Sequence, residues 1–236
     1  MPQPILAIVA AGAMGAAVGK RLTTAGLTVL TDLTGRSAST RKRAADAGLE
    51  DASLLDIAAR AHWTLSILPP SEAESFARAF RDAHAQAART RPVAFADCNA
   101  VNPTTVKRIA ALFAGTPIKF VDAGIIGGPP QDDYDPVFYA SASPEDQREL
   151  EEFAALRKWG LNMKTLKGEG AGIGDASALK MSYAVRMVVP CFLDYRNSPC
   201  ACVVGYRQGY HRHLHDHDTL YAAFIGIHWR VSHAFL

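Results

Sequence analysis

Hydrophobic and polar positions follow two alternating patterns over the first two thirds of the chain. Residues 5–9 form a short apolar run, Ile-Leu-Ala-Ile-Val, which stops at Ala10-Ala11-Gly12. A stretch with helical spacing follows over residues 13–24 and ends at Ala25-Gly26. The order strand, tight turn, helix then recurs. Strands are predicted over residues 27–31, 64–68, 93–96, 118–121 and 137–140. Helices are predicted over residues 41–47, 71–88, 103–113 and 144–156. Ser71-Glu72-Ala73-Glu74 reads as a capping box, and Asn102-Pro103 as a helix entry. Alternation of this kind implies right-handed crossovers and a mainly parallel, doubly wound sheet of Rossmann type. Ligands of such sheets bind at the carboxyl ends of the strands, where Gly12, Asp32, Pro69, Asn99 and Asp122 fall.

The first turn carries the candidate chemistry. A helix N-terminus leaves backbone N–H groups unpaired and presents the positive end of its dipole. Glycine in that turn lets a pyrophosphate approach the backbone. Ala10, Gly12 and Gly15 stand at the three positions of a degenerate G-x-G-x-x-G pattern. The expected dinucleotide contacts are Ala11, Gly12, Ala13, Met14 and Gly15, then Leu68 and Pro69 at the end of the third predicted strand. Asp32 stands where an acid would hold the ribose 2′-hydroxyl of NAD. Arg36 and Ser37 follow, with Ser39, Thr40 and Arg41, and a guanidinium among hydroxyls suits a 2′-phosphate. The expected cofactor is NADP, with NAD as the alternative.

Composition narrows the class. The 236 residues are 49% hydrophobic and 20% charged, with a net charge of +2, so no strong field argues for nucleic acid or a membrane surface as partner. No stretch reaches the roughly 20 apolar residues of a spanning helix. No secretory signal is read at the N-terminus, and four irregularly spaced cysteines make no disulfide framework. A cytoplasmic location is expected.

Four segments together resemble the β-hydroxyacid dehydrogenase and 6-phosphogluconate dehydrogenase superfamily. They are Ala11-Gly12-Ala13-Met14-Gly15, Leu65-Ser66-Ile67-Leu68-Pro69-Pro70, Asp122-Ala123-Gly124-Ile125-Ile126-Gly127-Gly128, and Gly172-Ile173-Gly174 through Lys180. Asp97-Cys98-Asn99-Ala100 and the residues around Lys180 are similar to a subgroup with a phosphogluconate dehydrogenase NAD-binding putative C-terminal domain. The resemblance implies hydride transfer between a nicotinamide and a small hydroxy acid or sugar acid, with Lys180 as the catalytic lysine. It also implies substrate contacts at Asn99, Asp122, Gly127 and Gly128. Two positions depart from the pattern: Ile126 replaces a substrate-binding serine, and Ala184 replaces an asparagine. An ordinary surface lysine and a loop-forming aspartate are the plain alternatives for Lys180 and Asp122.

Three regions are expected. Residues 1–143 make the dinucleotide-binding domain. Residues 144–184 make a linker helix and the start of an all-helical C-terminal domain, which would support a homodimer if complete. Residues 185–236 read as an atypical tail. No lysine or glutamate follows Lys180, while three of four cysteines and six of eight histidines lie beyond residue 190. This tail is expected to be translated non-coding sequence, such as a retained intron, rather than the family's own C-terminus. A truncated, catalytically silent dinucleotide-binding protein is then the rival reading. His211, His213, His215 and His217 alternate with other residues, yet no distant ligand set accompanies them, so no metal site is expected.

Overall fold

The computed structural model describes residues 3–87 and 93–194, with side-chain surroundings through Ala184. The tail histidines, Cys200 and Cys202 lie outside the described residues, and Cys191 is described in its backbone alone. The chain divides into two units after Ala184, and the fold below is that of the first.

Eight strands form one sheet. They are β1 (Leu6–Val9), β2 (Val29–Thr31), β3 (Glu50–Asp51), β4 (Trp63–Ser66), β5 (Val93–Asp97), β6 (Ile118–Ile126), β7 (Val137–Ser141) and β8 (Asn162–Thr165). Their order is β3-β2-β1-β4-β5-β6-β7-β8, and every pair is parallel except β6 with β7. The helices are α1 (Ala13–Thr24), α2 (Ala38–Asp46), α3 (Leu54–Arg60), α4 (Ala73–Gln86), α5 (Pro103–Ala111), α6 (Gln147–Ala154) and α7 (Asp175–Asp194). This is the doubly wound, mainly parallel architecture that the alternation implies.

Both faces of the sheet are buried, which is why its strands read as continuous apolar runs. Leu6, Ile8, Leu65, Ala96 and Val121 pack on one side with Val18 and Leu22 of α1 and Leu150 and Phe153 of α6. Ala7, Phe95 and Phe120 pack on the other with residues of α3, α4 and α5. Phe95 is the hub of that second layer. Its ring centroid lies 5.9, 5.4, 5.0 and 6.2 Å from those of Phe76, Phe80, Phe113 and Phe120. Removing so buried a ring costs about 3–5 kcal/mol.

Several elements differ from the sequence reading. β3, α3 and β8 were not expected. Residues 144–165 add α6 and β8 to the sheet rather than a lone linker helix. The expected capping box at Ser71 does not form: Pro70–Glu72 is a 3-10 turn, and Glu72 takes the N-cap of α4 without a side-chain hydrogen bond. β6 runs on to Ile126, so Asp122 sits in mid-strand and not at the start of a glycine turn.

One row of polar residues crosses the sheet near the carboxyl ends of its parallel strands. Register aligns Ser66 with Asp97, Asp97 with Asp122, and Asp122 with Ser141. All four are buried.

Candidate active site

The β1–α1 turn combines strain, space and unpaired donors. Ala10 has φ +66°, a left-handed conformation that costs an L-residue about 1–2 kcal/mol. Gly12 is the N-cap of α1, and no side chain caps that terminus. A Cβ added at Gly12 would meet nothing within 4 Å, whereas one at Gly15 would meet Ala10 O at 2.2 Å. Gly15 is therefore needed for helix–strand contact, while Gly12 keeps open the room in front of the free N–H groups. Ala13 and Met14 begin the helix there, and Ala11 closes the turn. Such a cradle fits a pyrophosphate.

Asp32 follows β2, and its Oδ1 accepts from Thr34 N at 2.8 Å. Ser37 is the N-cap of α2, with its Oγ accepting from Thr40 N. Arg36 precedes it at the same corner. Leu68 and Pro69 follow β4. Because the strand order is β2-β1-β4-β5, these segments lie along one edge of the sheet, beside the Gly12 turn.

Asn99 is tied into the protein through its amide. It is 2% exposed; its Oδ1 accepts from Leu68 N at 2.6 Å, and its Nδ2 donates to Ser66 Oγ at 2.9 Å. It holds the exit of β4 in place. Its own N–H donates to Asp97 Oδ1 at 2.9 Å.

Asp122 is tied in likewise. It is fully buried, and every acceptor contact goes to the protein. Oδ1 accepts from Ser177 Oγ at 2.7 Å; Oδ2 accepts from Gly174 N, Ser177 N and Ser141 Oγ at 2.9, 3.2 and 3.2 Å. Ala176 N donates to Ser141 Oγ at 3.1 Å. A strand carboxylate and its neighbouring hydroxyl thus cap the first turn of α7, satisfying donors that helix termini leave unpaired. Ser141 and Ser177 were missed in the sequence because their partners lie far away along the chain.

That cap positions Lys180, about one and a half turns further along α7. Its ammonium donates to Ile125 O. Gly124 admits the helix closely: an added Cβ would lie 3.0 Å from Ala176 O and 3.1 Å from Lys180 Cβ. Burial pushes the Lys180 ammonium below the ordinary lysine range. Gly127 and Gly128 follow β6. Gly127 has φ +127°, and Gly128 N donates to Tyr134 Oη at 3.2 Å. Tyr134 thus meets the Gly128 N–H.

Asp97 is a strongly perturbed carboxyl group. Burial, with the neighbouring Asp122 charge adding, pushes it up to about 7, against the hydrogen bonds from Asn99. Its Oδ2 has no hydrogen-bond partner among the described residues. Burial also raises Asp122, but the donors of Ser177, Gly174 and Ser141 favour its charged form.

Among the described residues, no group of three histidine, cysteine or acidic side chains is placed to hold a metal ion. No helix among them is long and apolar enough to cross a membrane.

Parallel strands ending at an uncapped, glycine-opened helix terminus define a dinucleotide-binding domain of Rossmann type. The chain belongs to the family described as the NAD binding domain of 6-phosphogluconate dehydrogenase, which matches residues 6–165 and so ends with β8. No curated protein matches the chain. Among solved structures, the conserved protein MTH1747 of unknown function, itself reported as structurally similar to 3-hydroxyacid dehydrogenases, is 29% identical with a TM-score of 0.67. The match covers 81% of this chain and 67% of that one. Mycobacterium tuberculosis 3-hydroxyisobutyrate dehydrogenase with L-serine is 19% identical, with a TM-score of 0.60 over 83% of this chain and 66% of that one. The Myxococcus stipitatus imine reductase in complex with NADP+ is 18% identical, with a TM-score of 0.66 over 82% and 64%. The last two likenesses concern the fold alone. The chain spans about two thirds of the length of these proteins.

Proposed function

We propose that this chain binds NADP, with NAD as the weaker ligand, and forms the cofactor-binding part of an oxidoreductase of the 3-hydroxyacid dehydrogenase type. The observation that carries the reading is the contrast between the two glycines. Gly15 is filled by its own neighbours, whereas Gly12 faces open space before free N–H groups. Arg36 and Ser37 supply a guanidinium and a hydroxyl at the corner where a 2′-phosphate would lie.

Bound nicotinamide would supply the hydride acceptor or donor. The chain's own residues supply orientation and proton handling. Asp122, Ser141 and Ser177 fix the start of α7, and α7 fixes Lys180. With its affinity for protons lowered by burial, the Lys180 amine takes the hydroxyl proton of a substrate, or returns it in the reverse direction. The family to which the chain belongs, and the name of the L-serine-bound neighbour, support a small hydroxy acid or sugar acid as substrate.

Titration of the purified chain with NADPH, followed by nicotinamide fluorescence, tests the cofactor. Incubation with NADP and a panel of small hydroxy acids, read as NADPH absorbance, tests the reaction. Saturable binding with turnover supports the full reading. Binding without turnover leaves a dinucleotide-binding protein and removes the enzymatic half. Absence of binding removes both.

A further inference from the structure

Arg43 stands on α2, outside the three segments to which the sequence assigns cofactor contacts. Its Nε donates to Ala11 O across 2.9 Å, and its Nη2 lies 3.4 Å from Thr40 Oγ1. Thr40 Oγ1 in turn lies 3.1 Å from Ser37 Oγ, which also contacts Ser39 Oγ at 3.0 Å. One guanidinium thus bridges the backbone of the β1–α1 turn and the hydroxyl cluster at the start of α2.

The charge balance of this bridge is uneven. Neighbouring cations on the same helix have carboxylate partners: Arg41 lies 3.9 Å from Asp51, and Lys42 lies 2.7 Å from Asp46. Arg43 has none within 4.0 Å among the described residues. Its acceptors, a peptide carbonyl and a hydroxyl, orient the guanidinium without neutralising it. A guanidinium offers five N–H donors in a fixed fork, and only two are engaged here. The others remain at an exposed position beside Ser37. A planar, undischarged fork in such a place matches a phosphate monoester.

We propose that Arg43 is a specificity-determining residue that binds the adenosine 2′-phosphate of NADP while tying the pyrophosphate turn to α2. The proposal rests on the dinucleotide-binding reading above. Through Ala11 and Thr40, occupation of the 2′-phosphate corner is linked to the geometry of the Gly12 turn.

The test uses the full chain and four probes: NADPH, NADH, 2′,5′-ADP and 5′-AMP. Each pair differs by the 2′-phosphate alone. In Arg43→Gln, NADPH and 2′,5′-ADP are expected to weaken by about tenfold or more, while NADH and 5′-AMP change by less than about threefold. Arg43→Lys, which keeps the charge but loses the fork, should recover part of the loss. Equal weakening within both pairs would reduce Arg43 to a structural tie and overturn the specificity role. Unchanged affinities would overturn the proposal entirely. A wild-type chain that binds none of the four probes would overturn the dinucleotide reading, and this proposal with it.

Discussion

Ser177 Oγ donates to Asp122 Oδ1 at 2.7 Å, joining the first turn of α7 to the middle of β6. The same carboxylate accepts from two backbone N–H groups of that turn, so a strand residue serves as the cap of a distant helix. Asp122→Ala would leave those donors buried and unpaired. We expect a loss of roughly 3 kcal/mol or more in urea unfolding. Asp122→Asn should fare little better, because its NH2 group would face other donors. A variant that unfolds at the wild-type urea midpoint would show that the cap carries no weight.

Asp97 sets a pH dependence. Its folded value of about 7 lies above the ordinary 3.8, so the folded chain holds a proton that the unfolded chain has released between those values. Stability contributed by this group is then fully present below about pH 4. It falls as pH rises toward 7 and stays low above it. The integrated loss is on the order of 4 kcal/mol. Urea midpoints of wild type should therefore decline from pH 4.5 to 7.5, and Asp97→Asn should flatten that slope. A slope unchanged in the variant would place the titration elsewhere.

Gly12→Ala and Gly15→Ala should separate binding from folding. The first adds a methyl group in open space, so the melting temperature should hold while NADPH affinity falls about tenfold or more. The second drives a methyl group into Ala10 O, and overpacking should cost about 1–3 kcal/mol. If Gly12→Ala binds NADPH normally, the cradle has been assigned to the wrong place.

Ala10→Gly removes the left-handed strain. The relief of about 1–2 kcal/mol is partly offset by the greater freedom of glycine when unfolded. A net gain of about 0.5–1 kcal/mol in urea unfolding is expected. A loss would mean that the Ala10 methyl group packs productively.

Lys180→Ala should spare NADPH binding and lower any hydroxy-acid turnover by about 100-fold or more. Retained turnover would assign proton transfer to another group.

The turn at Gly12 was legible because it depends on local order: apolar run, small residues, helix. The strands β3 and β8 were not. Glu50 and Asp51 are exposed and polar, and three of the four residues of Asn162-Met163-Lys164-Thr165 are polar, so neither edge strand leaves an apolar run to read. Ser71 looked like a helix cap because the box rule counts residues. Pro70 instead starts a 3-10 turn and hands the N-cap to Glu72. Asp122 and Asn99 were recognised as special through family resemblance, but their roles rest on contacts across the fold that no local pattern encodes. Arg43 lacked even that signal, since its partner Ala11 lies 32 residues away.

The polar row also constrains how the sequence can drift. Leu68 leans on Asn99, Asn99 on Ser66 and Asp97, Asp97 on the charge of Asp122, and Asp122 on Ser177. A single substitution along this line strands a donor or a charge in the interior, whereas a matched pair of changes would not. These positions form one epistatic unit, and the acceptable replacements at any one of them depend on what occupies the next strand.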